Sequence, residues 1–256
     1  MALNPGDLLT PRYDMTMMVW SFLIATAGSF LALECARLLR RKDGTLDAAM
    51  VVGSAVMLGG VAIWSMHFVG MQAYRVDVPI SYDGFLTVLS LVAAIVIAGL
   101  ALYLSGGSGK FNARGWFAGG VIAGLGVCVM HYMGMYAQVM PALMTLDVSI
   151  VLISVVIAIT AALEALWMAF NVEQRALRLG AAVTMGIAVC AMHYTGMEAA
   201  TLICIAAAPS ADFTISSSHL FEWTLGVALL PMVLVSMMLF TRLKNIGQPS
   251  INPARA

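Results

Sequence analysis

Seven stretches of the chain, near 15–40, 48–74, 84–104, 115–138, 147–170, 179–205 and 220–241, are continuously apolar. Each reaches the roughly 20 residues that a helix needs to cross the hydrocarbon core of a bilayer. Inside lipid the backbone must satisfy its own polar groups, and an unbroken apolar run of this length does so as a helix. Of the 256 residues, 61% are hydrophobic and only 10% charged, where a soluble domain carries about a quarter charged. The runs predict an all-α integral membrane bundle of seven transmembrane helices joined by short connections.

Basic residues orient the bundle. Arg37, Arg40, Arg41, Lys42, Lys110, Arg114, Arg175, Arg178, Arg242, Lys244 and Arg255 fall on one side, and only Arg12 and Arg75 on the other. Positively charged loops stay in the cytoplasm, which puts the N-terminus outside and the C-terminus inside, in a plasma membrane. The first ten residues lack a basic n-region, so no cleavable signal peptide is expected. Three parts are expected: an extracytoplasmic segment 1–13, a membrane domain 14–243 and a cytoplasmic tail 244–256. The short tail shown has no room for a catalytic output domain, so a signal is expected to pass to a separate cytoplasmic protein or to an output domain beyond this sequence. The formal net charge of zero says nothing about nucleic acid, but no basic aromatic surface is legible, so no nucleic-acid partner is expected. The Gly/Ser-rich stretch "YLSGGSGKFNARG" reads as a cytoplasmic turn, since a phosphate loop needs a strand before it and a helix after it.

A triple repeat runs through the apolar frame. "MHFVGM" spans 66–71, "MHYMGM" 130–135 and "MHYTGM" 192–197, each ending an even-numbered helix. The odd helices repeat too. Asp14, Asp83 and Asp147 are each followed by Ser21, Ser90 and Ser154, then by Ala25, Ala94 and Ala158, then by Leu33, Leu102 and Leu166. The architecture is therefore three parallel helix-hairpin repeats, related by an axis along the membrane normal, plus a seventh helix. Odd helices start outside and even helices end outside, so the aspartates and the histidine motifs share the outer level of the membrane.

The motif has a chemical logic. His67 and Met71, His131 and Met135, and His193 and Met197 are four residues apart and share a helix face. Trp64, Cys128 and Cys190 stand three residues before each histidine, on about that face. Gly70, Gly134 and Gly196, with Gly60, Gly124 and Gly186, clear side chains from beside it, permitting close helix approach or leaving room for a ligand. The first methionines, Met66, Met130 and Met192, point a quarter-turn away and serve a second site or packing. An ionisable ring inside a membrane is a functional-site hypothesis by default. Imidazole with thioether and thiol suits copper, and three histidines also suit zinc.

Met-His-(Tyr/Phe)-x-Gly-Met, once in each of three helix pairs, resembles the bacterial MHYT domain from about Asp14 to the end of the seventh helix. Phe68 departs from the tyrosine of the family motif, so a hydroxyl is not required in all three copies. The resemblance implies a membrane sensor domain that binds copper through His and Met and detects oxygen, carbon monoxide or nitric oxide. It also implies an output to cyclic-dinucleotide enzymes, kinases or DNA-binding domains.

Other residues keep alternatives open. Asp14, Asp83 and Asp147 stand where helix N-caps are expected, or else orient the histidine rings. Cys128 and Cys190 are extra ligand candidates or small buried residues, and the four cysteines form no evident disulfide framework. Cys204 is expected near the end of the sixth helix. His219 and Glu222 form a pair outside the repeat, and Glu198 follows the third motif. A zinc hydrolase using Glu198 as base, a copper-handling protein and a bis-histidine haem protein are the competing functions. The expected partners are the bilayer, a diatomic gas and a cytoplasmic signalling protein; the oligomeric state is not legible.

Overall fold

A computed structural model of the chain describes residues 4–39, 41, 45–106 and 112–246. Arg40, Lys42, Lys110, Arg255, the centre of the Gly/Ser turn and the tail from 247 onward lie outside the described residues.

Among the described residues, seven helices are long and apolar enough to span a membrane. They are α1 Met15–Arg37, α2 Ala48–Ala73, α3 Gly84–Gly106, α4 Ala113–Tyr136, α5 Val148–Asn171, α6 Arg175–Glu198 and α7 Ser217–Ile246. Five of their starts are set by side-chain caps. Asp14 accepts from the backbone N–H groups of Thr16 and Met17, Asp47 from Ala49, Asn112 from Arg114, and Asp147 from Ser149 and Ile150. The Asp83 carboxylate likewise accepts from Leu86 N at 2.8 Å. Each satisfies a donor that the first helical turn leaves without a partner.

Helices α1 to α6 close into a ring in which each packs on the next and α6 packs on α1. Large side chains such as Val96, Val156 and Leu234 remain exposed on the outside, as lipid-facing residues do. Helix α7 stands outside the ring against α1 and α2, and Pro231 lies within it.

Short strands cap the outer end. They are β1 Leu8–Leu9, β2 Arg12–Tyr13, β3 Tyr74–Arg75, β4 Ser81–Asp83, β5 Gln138–Val139, β6 Ala142–Leu146, β7 Ala200–Cys204 and β8 Thr214–Ser216. The strand leaving each even helix pairs antiparallel with the one entering the odd helix of the same hairpin: β3 with β2, β5 with β4, β7 with β6. A repeated backbone bond locks this arrangement. Asp14 N donates to Ala73 O at 2.9 Å, Asp83 N to Ala137 O at 2.7 Å, and Asp147 N to Ala199 O at 2.8 Å.

The sixth apolar run is corrected by this cap. Its helix begins at Arg175 and stops at Glu198, and Ala200–Cys204 is a strand paired with Ala142–Leu146. Cys204 is therefore a strand residue. Hydropathy cannot separate a helix end from a short apolar strand that continues the same run.

Helix α2 differs from α4 and α6. Its segment Val56–Ser65 is π-helical. Its cap, Asp47, precedes His67 by twenty residues, whereas Asn112 precedes His131 and Gln174 precedes His193 by nineteen. A π segment absorbs one extra residue while keeping the flanking helix continuous, so His67 reaches the same level as its equivalents.

Two polar clamps tie α7 to α2. At the outer end Gln72 Nε2 donates to Ser217 O at 3.1 Å and Ser217 Oγ to Gln72 Oε1 at 3.0 Å. At the inner end Asp47 faces Arg242 at 3.2 Å and Arg41 at 3.3 Å. Burial alone would raise the Asp47 carboxyl; the Arg242 charge and the Arg41 hydrogen bond outweigh it and hold the group below the usual carboxylate value. Between α1 and α6, buried Arg178 donates to Glu34 at 2.8 Å and also to Glu173 O.

Candidate metal centre

The three motif histidines meet in the centre of the ring. His67 and His131 are 1% and 0% exposed and His193 is 0% exposed, a depth at which a polar ring needs a partner. Their Nδ1 atoms face one another: 3.1 Å between His67 and His193, 3.1 Å between His131 and His67, and 3.3 Å between His193 and His131. The rings stand edge-on, with centroids 4.9, 5.0 and 5.1 Å apart. The pseudo-threefold arrangement of the repeats is thus carried into the side chains.

The motif glycine makes this meeting possible. A Cβ on Gly134 would overlap Nε2 of His67, one on Gly196 that of His131, and one on Gly70 that of His193. Each imidazole is seated on the glycine of the next motif, and the three seats form a closed cycle. The occupant of the space beside each glycine is a neighbouring repeat's histidine.

Hydrogen bonding among the three rings leaves the cluster unsatisfied. A neutral imidazole carries its proton on one nitrogen, so each Nδ1 is either a donor or an acceptor. Three such atoms in a triangle cannot all be paired with one another. All three Nε2 atoms are also buried with no hydrogen-bond partner among the described residues. A cation between the Nδ1 lone pairs resolves the first deficit. The point equidistant from the three Nδ1 atoms lies about 1.8 Å from each, given sides of 3.1, 3.1 and 3.3 Å. That is close to the roughly 2.0 Å of a zinc–imidazole bond. A slight expansion of the triangle fits such an ion.

Among the described residues, no cysteine or carboxylate joins this cluster. Cys128 packs against Ala158 and Met192, Cys190 is half-buried, and all four cysteines are free. Asp14, Asp83 and Asp147 serve as the caps described above, and Asp14 lies 3.6 Å from Arg75. Met71, Met135 and Met197 are each 1% exposed and belong to the apolar core cluster that also contains Phe68, Tyr74 and Tyr82. Met66, Met130 and Met192 are equally buried. Exposed Glu198 accepts a hydrogen bond from Tyr13 at 2.8 Å. Burial and that carboxylate push the Tyr13 hydroxyl well above the ordinary phenol value. His219 bonds Ser216 at 2.9 Å, away from the ring centre.

An aromatic–serine latch surrounds the trio. Ser21, Ser90 and Ser154 each donate to a carbonyl three residues back at 2.7 Å, leaving the oxygen free to accept. Tyr194 reaches Ser21 at 2.9 Å and Tyr132 reaches Ser154 at 2.7 Å. In the first repeat Phe68 has no hydroxyl, and the Trp64 indole takes its place, donating to Ser90 at 2.9 Å. Trp64 thus faces α3, not the histidine trio, and packs tilted against Phe68 with ring centroids 4.7 Å apart. The signal for this exchange, a Trp only in the repeat that lacks the Tyr, is present in the sequence.

Comparison with known proteins agrees with the repeat. The MHYT model, described as a bacterial signalling protein N-terminal repeat, matches residues 60–119 and 124–182. Both windows open on the glycine seven residues before a motif histidine. The chain is 35% identical over 198 residues to the bifunctional diguanylate cyclase/cyclic di-GMP phosphodiesterase MucR of Pseudomonas aeruginosa, covering 75% of this chain and 29% of that protein. It is 28% identical over 236 residues to the signaling protein YkoW of Bacillus subtilis, covering 90% and 29%. It is 29% identical over 224 residues to the cyclic di-GMP phosphodiesterase NbdA of Pseudomonas aeruginosa, covering 84% and 28%. The chain spans about three-tenths of the length of these curated relatives. No solved structure matches it. Seven spanning helices, three copies of the motif and these matches together place the chain in the MHYT family, as a multi-pass protein of the inner membrane.

Proposed function

We propose that this chain is a membrane sensor domain in which His67, His131 and His193 hold one metal ion, copper by preference, and whose state is passed to a cytoplasmic signalling domain or protein. The observation that carries the proposal is the trio of buried Nδ1 atoms within 3.1–3.3 Å of one another. An ion held by three imidazoles keeps a coordination position for a small neutral molecule such as oxygen, carbon monoxide or nitric oxide. The buried thioethers of Met71, Met135 and Met197, four residues beyond the histidines, favour copper over zinc.

The protein's own part is to position and to transmit. The glycine seats fix the imidazoles, and the latches hold each even helix to the next odd one. Helix α2 carries His67 and is clamped to α7 through Gln72–Ser217 outside and Asp47–Arg242 inside. A displacement of His67 therefore has a direct mechanical route to the cytoplasmic end of α7. Two of the relatives are named for making or hydrolysing cyclic di-GMP, which supports a cyclic-dinucleotide output. Sensing of this kind requires two states that differ in affinity for the effector.

The test is elemental analysis of purified protein with distance measurements between spin labels on α7 and α3, with and without copper. Stoichiometric copper, lost in folded His131→Ala, and a copper-dependent change in the distance distribution are expected. Stoichiometric zinc instead would replace copper and favour hydrolysis. Protein that stays metal-free after reconstitution, or helix distances indifferent to the metal, would overturn the reading.

A further inference from the structure

The histidine trio has a hollow beneath it. Helices α2 to α6 enclose a cavity of about 60 Å³ on the cytoplasmic side of the three rings. Ile63, Val127 and Val189 line it, and each stands four residues before a motif histidine, so the three form a collar one helical turn below the imidazoles. Met192, adjacent to His193, also reaches the cavity. Below the collar the walls are mainly alanines of α3 and α5, Ala98 and Ala162 among them. Among the described residues, no polar or charged side chain contributes to the lining.

That lining selects by chemistry. The volume is well above the roughly 15 Å³ that one water needs, but water requires two to four polar partners, and ions require more. Dry apolar cavities of this kind take small apolar molecules such as xenon. Repeat symmetry adds a second argument: the equivalent residue of all three even helices faces the cavity, which extends from beneath the trio toward α3 and α5.

We infer that this chamber is a binding site for a small, uncharged, apolar molecule, of the size of a noble-gas atom or a diatomic, held one helical turn from the histidine trio. The site is built from side chains other than the histidines and does not depend on a metal, so it can be tested without one.

The experiment uses xenon as the probe, read by xenon-129 NMR on the full chain in nanodiscs, with protein-free nanodiscs as reference. Ala98→Leu and Ala162→Leu fill the chamber; Gly180→Ala, at a position where an added Cβ meets nothing within 4 Å, is the control. A saturable xenon response in wild type and Gly180→Ala, weakened at least tenfold in either leucine variant that keeps its melting transition, is the expected result. A response no greater than that of empty nanodiscs, or one unchanged by both leucines, would overturn the assignment. Crystals of the unaltered protein under xenon pressure give a readout that needs no variant. Density between the collar and the alanines supports the site, and none there at full pressure refutes it.

Discussion

The imidazole of His67 occupies the space where a side chain on Gly134 would stand. The same holds for His131 with Gly196 and His193 with Gly70, so each motif supplies one histidine and the seat for another. The three copies are therefore interdependent: loss of any one would leave one histidine without its seat.

Gly134→Ala should therefore act like a histidine mutation while leaving every histidine in place. Its Cβ would displace the His67 ring, and bound metal per chain should fall to the level of His67→Ala. Gly180→Ala should leave metal content unchanged and raise stability by about 0.5–1 kcal/mol, the gain of alanine over glycine inside a helix. Metal analysis and thermal unfolding of the two variants make the comparison.

The aromatic–serine latches predict a graded result. Tyr132→Phe removes a neutral hydrogen bond to Ser154 and should cost about 0.5–1.5 kcal/mol. Trp64→Phe, in the repeat where the indole replaces the missing hydroxyl, should cost more, because the buried ring it truncates also packs on Phe68. Phe68→Tyr should not stabilise, since the Ser90 oxygen already accepts from Trp64. Unfolding in detergent at matched protein concentration reads all three.

Glu34 and Arg178 close the seam between the first and third repeats, with side chains 9% and 3% exposed. Arg178→Ala would remove the 2.8 Å bond and leave the carboxylate to the more exposed Arg37, 3.5 Å away, and should destabilise by about 1.5–3 kcal/mol. Replacing both by leucine should recover most of that loss, because well-packed apolar pairs substitute for buried ion pairs with little cost. A double variant no better than Arg178→Ala would mean that the seam needs the charges themselves.

The inner α7 clamp should survive mild acid. Asp47 has a carboxyl held below its usual value by Arg242 and Arg41. The sign follows from linkage: its contribution is present above the unfolded carboxylate value, about 3.9, and is lost only as pH falls through the lower folded value. Hydrogen exchange at the cytoplasmic end of α7 should thus be flat from pH 7 to about 5, and Asp47→Asn should raise it throughout that range.

The spans were legible because lipid admits few alternatives: each run found by hydropathy contains or overlaps its helix closely, except where β7 prolongs the sixth. The strands were not. Pieces of two to five residues show no usable periodicity, although the alanine six residues after each histidine (Ala73, Ala137 and Ala199) marked the backbone bond that anchors them. The histidines stood out as costly polar rings in an apolar chain, and the motif glycines were readable as space without revealing what fills it. The spacing groups Trp64 with Cys128 and Cys190 on one helix face; the missing hydroxyl of Phe68 is visible in the sequence, but that the Trp64 indole takes its place on Ser90 depends on packing between repeats. The aspartates read first as caps and second as partners of the histidines, and their bonds to Thr16, Leu86 and Ser149 show the capping role.

X-ray absorption at the copper edge of the reconstituted full chain tests the central claim most directly. The account predicts one ion per chain with three imidazole nitrogens at about 2.0 Å, and loss of that shell in each of His67→Ala, His131→Ala and His193→Ala. A shell dominated by sulfur, or one that persists unchanged when any of the three histidines is removed, would contradict it.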